Sequence, residues 1–279
     1  MSMDYFEYLR KDKMPHIWCP GCGHGTIMKS ILRAIDKLQW NKDDVVVVSG
    51  IGCSSRTPGY LDFNTLHTTH GRALPFATGV KVANPKLHVI VVSGDGDAMA
   101  IGGNHFIHAC RRNIEISLIV FNNNIYGMTG GQASPTTFTG SRGTTAPYGA
   151  IEQPFDVCGL AQGAGATFVG RALDMDAVAM DRVILASLKN KGFSVVDAWS
   201  QCTTYFGRQN KWGDATDMMQ RYKGMTYNVR LSDKLSEEEK EGKYPVGVLY
   251  QATRPEFCEE YDKLIERVRP QETKAAANV

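Results

Sequence analysis

The chain has 279 residues, 43% of them hydrophobic, enough for one large α/β domain with a well-buried core. Its 31 basic and 29 acidic residues leave a net charge of +2 and are scattered without a basic stripe, which argues against nucleic-acid binding. No apolar run approaches the roughly 18 residues that a membrane span needs, and seven cysteines behind an N-terminus with no export signal favour thiol, thiolate-ligand or redox chemistry in a cytoplasmic protein over disulfides.

In chain order, Thr26 to Trp40 carries Ile27, Ile31, Ala34, Ile35 and Leu38 on one face, the spacing of an amphipathic helix. Val45 to Val48 read as a buried strand that ends at Ser49-Gly50-Ile51-Gly52-Cys53. His88 to Val92 form a second strand ending at Ser93-Gly94-Asp95-Gly96-Asp97, and Ile116 to Phe121 a third ending at Asn122-Asn123-Asn124. Phe193 to Val196 form a fourth, which ends near Cys202. Unalternated Val/Ile runs separated by helical segments at 72–84, 98–112 and 174–190 predict parallel strands covered on both faces. The expected fold class is α/β, a doubly wound, mostly parallel sheet that binds ligands beyond the carboxyl ends of its strands. The four motif-bearing turns all fall at such ends.

The stretch from Gly127 to about Pro154 is rich in Gly, Thr, Ser and Pro. Because it starts immediately after the Asn triplet, it reads as an ordered active-site loop rather than a linker. Beyond about residue 205 the chain turns polar, with Ser236-Glu237-Glu238-Glu239-Lys240 and a helix-like stretch at 256–268. The expected organisation is a site-bearing domain over 1–205 and a C-terminal extension over 206–279 that wraps or docks a partner, with disorder over 271–279. There is no internal repeat.

Cys19, Cys22, Cys53 and Cys202 each lie in a Gly-rich or polar turn, whereas Cys110, Cys158 and Cys258 lie in apolar or helical settings and read as small core residues. Trp18-Cys19-Pro20-Gly21-Cys22 has the form of a thioredoxin-like motif, but Asp12 to His16 is a poor preceding strand. A zinc knuckle is a second rival, although Cys53 and Cys202 are isolated rather than a close pair. The third reading is a cubane iron–sulfur cluster, which needs four thiolates. Gly94-Asp95-Gly96 could be a plain turn; a calcium loop would need further acidic positions that Ala98-Met99-Ala100-Ile101 lacks. What favours a metal–diphosphate site is Asn122-Asn123 at another strand end, thirty positions from Gly94 counted inclusively. Carboxylate, amide and carbonyl oxygens suit a hard cation, and Gly94 and Gly96 let phosphates come close to the backbone. Two His-x-x-His pairs, His67/His70 and His105/His108, are weaker metal candidates.

These residues resemble the thiamine diphosphate motif, a Gly-Asp-Gly followed about thirty residues later by Asn-Asn. With the cysteines added, the chain is similar to β subunits of 2-oxoacid:ferredoxin oxidoreductases over roughly residues 15–205. The likeness is carried by Trp18 to Gly23, Gly50 to Ser54, His70-Gly71-Arg72-Ala73 with Ala77-Thr78-Gly79, Gly94 to Asp97, and Asn122 to Gln132. The resemblance implies a thiamine diphosphate-binding fold in which Cys19, Cys22, Cys53 and Cys202 ligate one 4Fe-4S cluster. It implies Mg2+ on Asp95, Asn123 and the Ile125 carbonyl. It also implies thiamine diphosphate in contact with Ile51, Gly52, Cys53, Ser54, His70, Gly71, Gly96, Asp97, Gly127 and Met128, with His70 close to the chemistry.

The implied activity is decarboxylation of a 2-oxoacid, with electrons leaving through the cluster to ferredoxin and the acyl group passing to coenzyme A, or the reverse carboxylation. The implied partner is an α subunit carrying the pyrimidine-binding domain, in an αβ or (αβ)2 assembly. The Met128 to Thr137 loop looks more like 2-oxoglutarate-type members, giving succinyl-CoA, than pyruvate-type ones; pyruvate and branched-chain 2-oxoacids are the alternatives. Arg56, three residues after Cys53, offers a guanidinium fork for the distal carboxylate of 2-oxoglutarate. Two rival functions are a non-redox thiamine enzyme with structural zinc and a zinc-stabilised interaction subunit.

Overall fold

The computed structural model describes residues 3–269. The elements in order are α1 (His24–Leu38), β1 (Val45–Ser49), α2 (Thr57–Tyr60), β2 (Asn64–His67), α3 (Ala73–Ala83), β3 (His88–Gly94), α4 (Gly103–Arg112), β4 (Ser117–Asn122), a hairpin of β5 (Ile125–Tyr126) and β6 (Gln132–Ala133), α5 (Val157–Ala164), β7 (Phe168–Leu173), α6 (Ala177–Lys189), β8 (Ser194–Trp199), α7 (Arg208–Asn210), α8 (Ala215–Gly224), β9 (Thr226–Asn228), α9 (Glu237–Lys240), β10 (Tyr244–Gln251) and α10 (Phe257–Val268). Eight strands make one sheet in the order β2-β1-β3-β4-β8-β7-β10-β9, and only the β10–β7 pair is antiparallel.

Alternation along a strand divides the core. Val45 and Val47 point with Ile90, Val92 and Ile119 toward α1 and α6, where Ile31, Ile35, Met180 and Ile184 meet them. Val46 and Val48 point the other way with Val91 and Leu118, toward Ala77 of α3, Phe106 of α4 and Ala161 of α5. A strand buried on both faces needs no polar alternation, which is why Val45 to Val48 is a continuous apolar run. From β1 the chain goes to β2 on one side and then to β3 on the other, so the order reverses between β1 and β3. That switch point opens a crevice beyond the strand ends.

The boundary expected near residue 205 does not separate an independent extension. Residues 226–251 add β9 and β10 to the same sheet, and Cys258 of α10 is buried in the α3–α5 core. The stretch expected to be disordered, 271–279, lies outside the described residues. Asn113 fixes the return of the chain. It ends α4 in the left-handed region with φ 54°, which Asn tolerates. Its Nδ2 donates to the carbonyls of Arg254 and Pro255, and its Oδ1 accepts from Thr167 Oγ1 at 2.8 Å and Phe193 N at 2.9 Å. Replacing it by Ala strands several buried groups at once. Asn113→Ala is expected to cost at least about 2 kcal/mol, since each buried donor or acceptor left unmatched costs about 1–3 kcal/mol; urea unfolding checks this, and an unchanged midpoint would contradict it.

Candidate functional site

At the switch point lies a cavity of about 560 Å3, walled by the ends of β1, β3 and β4 and by the β5–β6 hairpin. Ile51, Gly52, Cys53, Ser54, His70, Gly96, Asp97, Gly127 and Met128 all line it, as do Asp95, Asn123 and Ile125. Gly71 does not; its N–H is taken by Asp97 Oδ1 at 2.7 Å. Nor is Arg56 on the wall: it ends the 3-10 turn Ser54–Arg56, with Nη2 3.4 Å from His67 Nδ1 and Nε buried without a partner. Gly96 has to be glycine, because a Cβ there would lie 2.2 Å from the Tyr126 ring, whose hydroxyl donates to the Gly96 carbonyl.

Asp95 is 2% exposed, and burial pushes its carboxyl up to about 6. Its Oδ2 accepts from Ser134 Oγ at 2.5 Å and Thr136 Oγ1 at 2.6 Å, hydroxyls supplied by the Gly/Thr/Ser-rich loop. Its Oδ1 has only the distant Asn123 N–H, at 3.5 Å. The Asn123 carboxamide oxygen faces that Oδ1 across 3.1 Å and the Ile125 carbonyl across 2.6 Å; turned over, the amide would instead donate to both. With its NH2 toward them the amide satisfies both acceptors in the metal-free chain; with its oxygen toward them, carboxylate, amide and carbonyl oxygens form a set that suits a hard cation of the Mg2+ type. The neighbours of Asn123 serve elsewhere. Asn122 Nδ2 donates to Asp197, and Asn124, at φ 59°, donates to the Thr136 carbonyl and accepts from Tyr222. Ser54 Oγ, on the cavity wall, is buried with no partner, as a hydroxyl poised for a polar ligand would be.

Asp97, also 2% exposed, is committed to the protein. Its Oδ1 accepts from Gly71 N and Ile51 N, its Oδ2 accepts from Ser93 Oγ at 2.5 Å, and His70 Nδ1 lies 2.8 Å from Oδ1 as a contact pair. One carboxylate therefore ties together the turns after β1, before α3 and after β3.

The four cysteines of the turns come together around a second cavity of about 250 Å3, and all are free thiols. Burial pushes the Cys22 thiol up to about 12 and Cys53 up to about 11, with the neighbouring cysteines adding to both shifts. Against this, nearby backbone amides pull the same thiols down: His24 for Cys22, Met128 for Cys53, and Thr204 to Phe206 for Cys202. Such donors favour thiolates. A Cβ on Gly127 would approach Cys53 Sγ to 3.3 Å and Cys202 Sγ to 3.8 Å, so the glycine leaves the space between the sulfurs open. Among the described residues no three His, Cys, Asp or Glu groups converge on a single metal-ion position. Cys110, Cys158 and Cys258 are buried in the α3–α5 core. Cys53 belongs to both cavities.

Several site residues carry no sequence signal. His24 lines the larger cavity between the rings of Trp18 and Phe121; its Nδ1 is 2.8 Å from Ser200 Oγ, and burial drops it to about 3, so it is a neutral imidazole. Trp18 Nε1 donates to the Cys53 carbonyl at 2.7 Å. Asp174, 4% exposed, follows β7 and lies against Gly23, where a Cβ would fall 1.5 Å from Oδ2. Its nearest donors, the N–H groups of Gln201 and Met175, do not reach hydrogen-bonding geometry, and burial pushes the carboxyl up to about 7.

Residues 50–198 match the family model described as the C-terminal TPP binding domain of thiamine pyrophosphate enzymes. The chain is 50% identical over 263 residues to the 2-oxoglutarate synthase subunit KorB of Methanocaldococcus jannaschii, covering 94% of this chain and 97% of that one. With the Archaeoglobus fulgidus subunit of the same name it shares 46% identity over 98% of this chain and 99% of the relative. It superposes with a TM-score of 0.86 and 33% identity on a structure of 2-oxoglutarate:ferredoxin oxidoreductase from Magnetococcus marinus with 2-oxoglutarate, coenzyme A and succinyl-CoA bound, covering 98% of this chain and 94% of that one.

A carboxyl whose folded-state value is raised favours the protonated fold, so its cost to stability appears as pH climbs from the unfolded value near 4 and is complete above about 7 for Asp174. Asp174→Asn should therefore stabilise the metal-free protein by about 1–3 kcal/mol at pH 8, with a smaller gain at pH 5. Urea unfolding at the two pH values measures this; a gain independent of pH would mean that Asp174 is ionised throughout.

Proposed function

The chain belongs to the β subunits of 2-oxoacid:ferredoxin oxidoreductases, and we propose that it is the thiamine- and cluster-binding subunit of a 2-oxoglutarate-specific member. The observation that carries this reading is the shared wall at Cys53: a convergence of three oxygens suited to a cation–diphosphate lies on one side and a four-thiol cavity on the other. In this reading Asp95, Asn123 and the Ile125 carbonyl hold Mg2+, and Cys19, Cys22, Cys53 and Cys202 hold one 4Fe-4S cluster. When bound, thiamine diphosphate supplies the nucleophile and electron sink for cleaving a 2-oxoacid, and the cluster supplies a one-electron acceptor.

The protein's own part is placement. Ser134 and Thr136 fix Asp95 Oδ2 so that Oδ1 faces the cation. The bare Gly94 and Gly96 backbone leaves room for the diphosphate, and N–H groups around Cys22, Cys53 and Cys202 steady the thiolates. Ile51 and Met128, 41% and 46% exposed, mark the open side of the cavity. There the pyrimidine-binding domain of an α subunit would close the site in an αβ or (αβ)2 assembly in the cytoplasm, with coenzyme A and ferredoxin as the remaining reactants; no described helix is long and apolar enough to cross a membrane. Residues beyond 205 are offered as partner contacts. Arg56, whose Nε is buried and unpartnered, is the group proposed to meet the distal carboxylate. The rival zinc readings need one ion-sized position, whereas the thiols surround a cavity of about 250 Å3.

Protein purified anaerobically with its α subunit is expected to hold about four iron and four sulfide per chain. Cys202→Ser should lose them while Cys158→Ser and Cys258→Ser keep them, and Asp95→Ala should abolish Mg2+-dependent thiamine diphosphate binding with iron unchanged. Zinc in place of iron, or undiminished cofactor affinity in Asp95→Ala by calorimetry, would sink the corresponding assignment.

Substrate choice has its own test. In the reconstituted Arg56→Met complex, the transition-state stabilisation read from kcat/KM should fall by roughly 2–5 kcal/mol for 2-oxoglutarate, by analogy with truncating one side of a buried charge pair, and far less for pyruvate. Equal losses for the two acids would leave Arg56 with a structural or docking role.

A further inference from the structure

The face of the sheet that is otherwise filled by Val169 and Val195 carries two opposite charges. Arg171 of β7 and Asp197 of β8 stand directly in register, 2% and 1% exposed, and Arg171 Nε donates to Asp197 Oδ2 at 2.8 Å. Buried pairs of this kind are often no more stabilising than packed apolar residues, so their presence asks for a reason beyond stability. The reason lies in the remaining hydrogen bonds. Asp197 Oδ1 accepts from Asn122 Nδ2 at 2.9 Å, the Asn122 oxygen lies 3.0 Å from Thr136 Oγ1, and Thr136 Oγ1 lies 2.6 Å from Asp95 Oδ2. In the other direction Arg171 Nη2 donates to Asp156, which ends the Gly/Thr/Ser-rich loop and caps α5. The rings of Trp199 and Tyr244 flank the guanidinium at 5.7 and 5.3 Å.

We infer that the Arg171–Asp197 pair is a positioning device for the metal carboxylate, holding both flanks of the clamp that aims Asp95 at its cation. On one flank the Asp197 carboxylate pins the Asn122 amide. Inverted, Asn122 would set its oxygen against that carboxylate and its NH2 against the Asn124 N–H, which now donates to the Asn122 oxygen at 3.3 Å, so the pinned amide has one orientation. On the other flank the same guanidinium anchors the far end of the loop that brings Ser134 and Thr136 to Asp95 Oδ2. Neither Arg171 nor Asp197 lines the cavity. Their influence reaches the cation through Asn122, Thr136 and Asp95. The inference rests on the reading of Asp95 as a Mg2+ ligand.

The test is a Mg2+ titration of thiamine diphosphate binding by the whole complex, read by calorimetry, in wild type and in Arg171→Met/Asp197→Leu, which removes both charges together. Outer partners of metal ligands typically change metal affinity by about 10–100-fold, and a rise of that size in half-saturating Mg2+ is expected, with iron content unchanged and cofactor binding restored by excess Mg2+. Wild-type Mg2+ dependence in the variant would overturn the inference, as would a loss of binding that excess Mg2+ does not restore, since that is the mark of a merely structural pair. If the double variant does not fold, Asn122→Leu interrupts the chain of contacts at its middle and should show the same Mg2+ shift; a wild-type titration there overturns the inference equally. Absence of any Mg2+ dependence in wild type would instead refute Asp95 as a ligand, and this inference with it.

Discussion

The site as proposed depends on one constraint: a carboxylate must stay buried while one of its oxygens is left for a cation. Asp95 meets it by division of labour, with two hydroxyls on Oδ2 and only a distant N–H near Oδ1. Water would screen such an oxygen and weaken its hold on a cation. The surroundings follow from that need. The end of β3 provides depth, the left-handed Asn124 turns the chain so that Asn123 and the Ile125 carbonyl face the same point, and an ordered loop of small hydroxyl residues closes over the far side. The carboxyl drifts up to about 6 in the metal-free protein for the same reason that it suits a divalent ion, because its surroundings solvate a lone negative charge poorly.

The second constraint is distance between the two centres. The proposed electron transfer between cofactors would require closeness, and the turn after β1 serves both cavities with adjacent residues: Ile51, Gly52 and Ser54 face one, and Cys53 is common to both. Trp18 clips this turn to the Cys19–Cys22 loop through its hydrogen bond to the Cys53 carbonyl. Asp97 performs the corresponding task on the opposite side, binding the Ile51 and Gly71 backbones to the end of β3.

Much of this was legible because parallel strands buried on both faces read as plain Val/Ile runs, whose starts fall within a residue of those observed and whose ends fall one to three residues short. β1, β3, β4 and β8 are legible that way, and with them the turns that carry Asp95, Asn123 and two of the four clustered cysteines, Cys53 and Cys202. The strands that escaped are those where another demand breaks the run. β7 carries Gly170 and Arg171 in its middle, β10 carries Pro245 and Gly247, and β2 is a polar edge with its residues half exposed. Missing β10 made the chain beyond residue 205 look like a detached extension, when its strands continue the sheet. In the site, Asp95, Asn123 and the cysteines announce themselves by spacing. Ser134, Thr136, His24 and Asp174 act through contacts between residues far apart in sequence, which no local pattern encodes; the loop's run of Ser and Thr is the one signal that pointed toward the first two.

Metal-free, the chain holds Asp95 as a buried carboxyl pushed up by its surroundings, Asp174 with no aligned donor, the thiols of Cys22, Cys53 and Cys202 with ionisation opposed by burial, and hydroxyls of Ser54, Ser55 and Thr57 without partners. These features lie around the switch point, while Val45 to Val48, Val89 to Val92 and Leu118 to Phe121 give the central strands an apolar, buried interior. Each opposes folding of the empty protein, and all but Asp174 and the two deeper hydroxyls are answered by the ligands proposed for the site. A ligand that binds only the folded state stabilises it in proportion to the logarithm of its saturation, so the groups that weaken the empty fold are those through which loading strengthens it. The turns at the strand ends are therefore free to be locally unstable, because the Val-rich interior of β1, β3 and β4 keeps the frame in place until the site is filled.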